Sequence, residues 1–117
     1  MARVLLVDDD VRPLYALGAV FEVHGFEVLP SNDGLDAFVK ALKALPDLVV
    51  TDWEMPGLDG ISLCRRLRSL RRFARVPLIL TSGRAPPVVE GVCDLFMRKP
   101  VDFSELDAFI ASFKARA

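Results

Sequence analysis

Cysteine is scarce in this 117-residue chain: only Cys64 and Cys93 occur, with no CxxC or metal-ligand spacing between them. That argues against a disulfide framework or a zinc centre and leaves two small thiols as packing groups, to which no chemistry is assigned. No apolar run approaches the roughly 20 residues needed to cross a bilayer. The first residues also lack the charged, apolar and small-residue sections of a secretory signal, so a soluble, cytoplasmic protein without membrane contact is expected. Internal repeats and low-complexity tracts are missing too. What is present is 52% hydrophobic sequence, enough for one compact core and too short for two ordinary domains. A single domain over residues 1–117 is expected.

The near-neutral charge of −1 hides an asymmetry. Residues 1–60 hold 11 acids and 4 bases, whereas residues 61–117 hold 5 acids and 11 bases. Much of the positive half is one segment, Arg65, Arg66, Arg68, Arg71, Arg72 and Arg75. No aromatic or recognition motif accompanies it, so it reads as a solvated helix face or an attraction for an acidic protein partner, and direct nucleic-acid binding is not expected.

Short, uninterrupted apolar runs at Val4–Val7, Leu48–Val50 and Leu78–Leu80 have the form of parallel strands buried on both faces. Between them lie helical patterns. Leu14, Leu17, Gly18 and Phe21 recur at i, i+3, i+4 and i+7, and Leu35, Phe38, Val39 and Leu42 are expected to form the buried face of a second helix. Leu63, Leu67 and Leu70 mark a third, with the arginines largely on its other faces. Near the C-terminus Leu106, Phe109, Ile110 and Phe113 mark another, with Asp102 as its cap and Glu105 three residues on. Alternating strands and helices argue for right-handed crossovers and an open parallel sheet covered on both faces. One crossover is irregular. Residues 83–91 contain two prolines and two glycines, which predicts at most a turn or two of helix after Pro87.

Three charged islands sit where buried strands would end: Asp8-Asp9-Asp10, Asp52 and Lys99-Pro100. Ligands of open α/β sheets lie beyond the carboxyl ends of the strands, so this fold would bring the islands together. Clustered carboxylates repel one another unless a divalent cation and an ammonium neutralise them, and the constellation reads as a phosphoryl-accepting metal site.

Five pieces in order then resemble the receiver domains of two-component response regulators across essentially the whole chain. They are Val7-Asp8-Asp9-Asp10, Asn32-Asp33-Gly34, the run from Asp52 to Gly60 (DWEMPGLDG), Leu80-Thr81-Ser82-Gly83 and Arg98-Lys99-Pro100. Each falls at a predicted strand end or helix start. The resemblance implies a flavodoxin-like (βα)5 doubly wound parallel sheet of order 2-1-3-4-5, here with a shortened or irregular fourth helix. It implies that Asp52 accepts a phosphoryl group from a histidine kinase or phosphotransfer domain, and that the domain catalyses its own phosphorylation and dephosphorylation without being an enzyme in the ordinary sense. Mg²⁺ would be held by Asp9 and Asp52 directly, by Asp8 largely through water, and by the backbone carbonyl of Glu54; a hard ion with oxygen ligands suits that set. Lys99 would set a point charge against the phosphoryl oxygens, with a cis bond to Pro100. Ser82 would donate its hydroxyl to a phosphoryl oxygen, Thr81 would face away, and Phe96 would stand where the family has a switching aromatic, with packing alone to act through. Asp10 is expected to cap the first helix.

Glu54 and Arg84 flank the mouth of this site and are expected to pair, slowing access of small phosphodonors or water. The short segment between Ser82 and Lys99 removes part of a helix that many family members use for output. A downstream protein partner is therefore expected near the first helix or at an altered surface around Val88 and Val89, and the oligomeric state stays open. Two rivals have other chemistries. A phosphatase of the haloacid-dehalogenase type also uses a strand-end aspartate with an acid two residues on, but after the first strand and with further acidic motifs. A degenerate receiver acting only as a binding module is opposed by the complete set Asp9, Asp52, Ser82 and Lys99.

Overall fold

The computed structural model describes residues 1–84 and 91–116. Five strands, β1 (Arg3–Val7), β2 (Glu27–Ser31), β3 (Leu48–Asp52), β4 (Leu78–Ser82) and β5 (Leu95–Arg98), form one sheet in the order β2-β1-β3-β4-β5. Every pairing is parallel, with Val7 opposite Ser31 and Thr51, Asp52 opposite Thr81, and Ser82 opposite Arg98. The helices among the described residues are α1 (Val11–Val23), α2 (Gly34–Ala44), α3 (Gly60–Arg68) and α4 (Phe103–Arg116), with a 3₁₀ turn at Arg71–Phe73. This is the expected flavodoxin-like order. The irregular crossover foreseen after Pro87, and the surface around Val88 and Val89, lie outside the described residues.

Strand alternation sorts the core into two layers. Leu5, Val7, Val49, Leu78 and Leu80 face α2 and α3, where they meet Ala37, Ala41, Leu63, Cys64 and Leu67. Val4, Leu6, Leu48, Val50 and Ile79 face α1 and α4, against Leu17, Phe21, Leu106 and Ile110. Each fully buried leucine or isoleucine contributes about 2 kcal/mol relative to exposure, and polar side chains enter β3 and β4 only in their last two positions, Thr51-Asp52 and Thr81-Ser82. Leu14, Phe109 and Phe113 pack partly against these layers, as the periodicities of their helices predict; Leu70 does so too, but from beyond the end of α3, with extended backbone.

The second helix departs from its predicted face. Leu35 is 60% exposed and Val39 43% exposed, while Gly34, Ala37 and Ala41 are buried and Phe38 and Leu42 only partly so. Small residues let α2 lie close to the sheet, and the larger side chains on either side are pushed to the flank. Periodicity weighted by side-chain size points to the wrong stripe when alanine supplies the contact.

Aspartates start each of α1 to α4. Asp10 accepts the Arg12 N–H at 3.0 Å, Asp33 accepts the Asp36 N–H at 2.7 Å, Asp59 accepts the Ser62 N–H at 2.8 Å and Asp102 accepts the Ser104 N–H at 2.8 Å. Each cap contributes about 1 kcal/mol and fixes where its helix leaves the sheet. Asp10 and Asp102 serve as expected.

Candidate functional site

The carboxyl ends of β1, β3, β4 and β5 converge on one charged cluster. Asp8 follows β1, Asp52 ends β3, Ser82 ends β4 and Lys99 follows β5. Lys99 Nζ donates to Asp8 Oδ2 at 2.8 Å and lies 3.1 Å from Asp52 Oδ1. Asp8 and Asp52 are almost wholly buried, and Asp9 is exposed. One ligand oxygen from each of Asp8, Asp9 and Asp52 can be chosen so that all three lie within 4.8 Å of one another. Three hard oxygen donors converging this closely around one ammonium leave negative charge uncompensated, and the donor set fits a divalent cation of the magnesium type. The Glu54 carboxylate is near enough for its charge to act on Asp52.

The electrostatics follow from burial. Desolvation pushes the Asp52 carboxyl from 3.8 up to about 6; the Lys99 hydrogen bond pulls it back, and the like charges of Asp8 and Glu54 reinforce the rise. Burial by itself would lower Lys99, but its bonds to Asp8 and Asp52 outweigh that and hold the ammonium above its ordinary value. Lys99 is thus a firm cation, and Asp52 is a carboxylate whose charge is poorly accommodated.

Backbone placement depends on two glycines whose role the sequence did not disclose. A Cβ on Gly60 would meet the Asp52 carbonyl oxygen at 2.0 Å, and one on Gly34 would meet the Leu58 carbonyl oxygen at 2.1 Å. Gly60 N also donates to the Trp53 carbonyl at 2.9 Å, closing the loop after β3 onto the start of α3. Both glycines directly follow a capping aspartate, Asp33 or Asp59. That repeated Asp-Gly pair was the available signal, since a helix start with no side chain at its first position permits another backbone to press against it.

Ser82 is fully buried, and its hydroxyl donates to Glu54 Oε1 at 2.5 Å while accepting the Arg84 N–H at 3.0 Å. Glu54 and Arg84 do approach, with Nε 3.7 Å from Oε1, but the arginine is 73% exposed and the pair is loose. Thr81 points away as foreseen, its hydroxyl 3.4 Å from the Thr51 carbonyl. Phe96 is partly buried against the α2 and α3 layer, and the Lys99–Pro100 bond is cis. Cys64 and Cys93 are free; desolvation pushes Cys64 up to about 12 and raises Cys93 as well, so neither is a reactive thiolate. No helix among the described residues is long and apolar enough to cross a membrane.

Comparison with known proteins accords with this geometry. PilH of Pseudomonas aeruginosa is 34% identical over 108 residues, covering 87% of this chain and 88% of that protein. A gliding motility regulatory protein of Myxococcus xanthus is 45% identical over 85 residues, 73% of this chain but only 11% of the larger protein. The chain likewise spans about half the length of several other curated relatives it matches. Among solved structures, the receiver domain of Francisella response regulator 1452 superposes with a TM-score of 0.86 at 28% identity, covering 99% of this chain and 98% of that one. Residues 4–111 match the family described as the response regulator receiver domain, and with its sheet order and its strand-end acids and lysine in place, the chain belongs to that family of two-component signalling domains.

Proposed function

We propose that this chain is a phosphoacceptor receiver domain in which Asp52 takes a phosphoryl group from a phosphohistidine on a histidine kinase or phosphotransfer domain, with Mg²⁺ bound. The observation that carries the reading is the Lys99 ammonium set between the buried carboxylates of Asp8 and Asp52. An Asp52 oxygen attacks phosphorus, the phosphorus–nitrogen bond breaks, and the histidine nitrogen keeps the electron pair and takes up a proton. A carboxylate is a weak nucleophile, so placement and relief of charge do most of the work. Asp8, Asp9, Asp52 and the Glu54 carbonyl are the groups that would hold Mg²⁺. When bound, that ion neutralises charge among the carboxylates and the incoming phosphoryl oxygens.

Within the chain, Lys99 supplies a positive charge to the transferred group at a fixed place. Ser82 supplies a hydroxyl proton to a phosphoryl oxygen, and its movement, with repacking of Phe96, carries the change to the surface read by a downstream protein partner. The domain catalyses its own modification and its reversal. We read residues 1–117 as one receiver domain acting in the cytoplasm, with no direct contact to nucleic acid.

Intact-mass measurement after incubation with acetyl phosphate and Mg²⁺ tests the assignment. One phosphoryl adduct is expected on the wild type and none on Asp52→Asn. An unmodified wild type, with acetyl phosphate and with histidine kinases alike, would remove the reading. Sustained release of phosphate from esters would replace it with a phosphatase.

A further inference from the structure

The Ser82 hydroxyl has a single proton to give, and in this structure Glu54 holds it at 2.5 Å. The oxygen is occupied as an acceptor as well, by the Arg84 N–H at 3.0 Å. We propose that the Glu54 side chain is a latch on Ser82: it retains the hydroxyl proton that a phosphoryl oxygen on Asp52 must take over, so Glu54 is a positioning residue that sets how far phosphorylation proceeds. This inference rests on the phosphoacceptor reading above and adds to it a side-chain role for Glu54 distinct from that of its backbone carbonyl.

The surroundings favour an exchange. A hydrogen bond to a carboxylate is roughly twice as strong as one between neutral groups, so Ser82 leaves Glu54 readily only for another anion. The phosphoryl group is such an anion, carrying about 1.5 to 2 negative charges where the Asp52 carboxylate carried one, and so adds up to about one negative charge close to Glu54. Repulsion then acts on Glu54, whose side chain is 38% exposed and can move outward. Arg84 is already 3.7 Å from the same carboxylate oxygen, and its exposed guanidinium can receive it without burying a charge. Arg84 is connected to both partners, through its backbone to Ser82 and through its side chain to Glu54. The pairing foreseen from sequence as a shield over the mouth is thus the place to which the released carboxylate goes.

Phosphorylation by acetyl phosphate at one subsaturating concentration, with Mg²⁺, measures the latch as the ratio of modified to unmodified protein by intact mass. Glu54→Ala is expected to raise that ratio about tenfold, the scale of one charge-assisted hydrogen bond. In a Ser82→Ala background the same substitution is expected to change the ratio less than twofold. Glu54→Gln keeps an acceptor oxygen and is expected nearer wild type than Ala. An equal effect in both backgrounds, or a Gln variant matching Ala, assigns the effect to charge or access and overturns the latch while leaving phosphorylation intact. A wild type that takes no phosphoryl group overturns the underlying reading and the latch with it. Proton NMR of the unmodified protein supplies a readout apart from phosphorylation: the Ser82 hydroxyl proton is expected to exchange slowly in wild type and to merge with water in Glu54→Ala. Rapid exchange in both overturns the contact.

Discussion

The two ends of β4 both carry clustered charge, and they compensate it in opposite ways. At the amino end, Arg68 Nη1 donates to the carbonyls of Phe73, Ala74 and Val76 at 2.9, 3.2 and 3.1 Å, and its Nη2 donates to Asp94 Oδ2 at 2.6 Å. Asp94 in turn accepts the Leu78 N–H at 2.8 Å. One cation meets one acid, and the spare donors of the guanidinium fork find carbonyls. At the carboxyl end, three acids cluster and one ammonium, that of Lys99, pairs with two of them. The balanced end is built for stability. The unbalanced end holds negative charge that a bound cation or a proton would relieve, and the proposed chemistry is placed there because the fold tolerates that imbalance.

The largest expected effect comes from deepening the imbalance. Lys99→Met keeps the length of the stem and removes the ammonium, leaving Asp8 and Asp52 buried without their shared partner. Removing one side of a buried ion pair costs about 3 kcal/mol, because the abandoned charge stays desolvated. Urea unfolding at pH 7.5 is expected to show that loss, and a smaller one near pH 4.5, where Asp52 carries a proton. Added Mg²⁺ should recover part of it at pH 7.5 by binding the folded state. A loss below about 1 kcal/mol at pH 7.5 would show that water already relieves the cluster, and the contrast between the two ends of β4 would disappear.

Relieving the imbalance should act the other way. The folded protein holds the Asp52 proton more tightly than the unfolded chain does, with a value of about 6 against 3.8. Stability contributed by this group therefore falls as pH rises from about 4 to about 6, and the penalty is complete above that window. Two pH units correspond to a ceiling of about 3 kcal/mol, and local relaxation leaves about 1–2 kcal/mol. Asp52→Asn is accordingly expected to be more stable than wild type by that amount at pH 7.5 and to show no gain at pH 4. A variant destabilised at pH 7.5 would mean that the ionised carboxylate is well satisfied by Lys99 after all.

Legibility from sequence divided along the same physical lines. β1, β3 and β4 are covered on both faces, so their apolar runs were plain. β2 and β5 are the sheet edges, half-exposed and interrupted by Pro30 or ended by Arg98; β5 was marked only by the Lys99-Pro100 island that closes it, and β2 had no signal of its own. The acids and the lysine were readable because a charge closing an apolar run is costly without a purpose. The Ser82 to Glu54 bond was not readable, since it joins residues 28 apart through side-chain rotamers. Nor was the close approach at Gly60, which depends on where another backbone passes. Arg68 was hidden for a different reason. Six arginines in eleven residues look alike as a solvated face, and nothing local distinguishes the one that turns inward to bind three carbonyls.

That arginine gives the smallest and most discriminating test. Arg68→Ala would deprive three carbonyls and Asp94 of a donor, but this end of the sheet is near water, which can replace part of what is lost. A cost of about 1–2 kcal/mol is expected, less than the sum of four bonds. Arg68→Lys should recover little of it, because a compact ammonium cannot reach acceptors spread around a planar fork. Neither substitution is expected to alter the Mg²⁺ dependence of stability or the extent of phosphorylation by acetyl phosphate, since the whole of β4 separates Arg68 from Ser82. Should Arg68→Ala shift the phosphorylated fraction severalfold while the fold is intact, the two ends of β4 would be energetically coupled. The strand would then transmit changes along its length, and the balanced end would have to be counted as part of the switch.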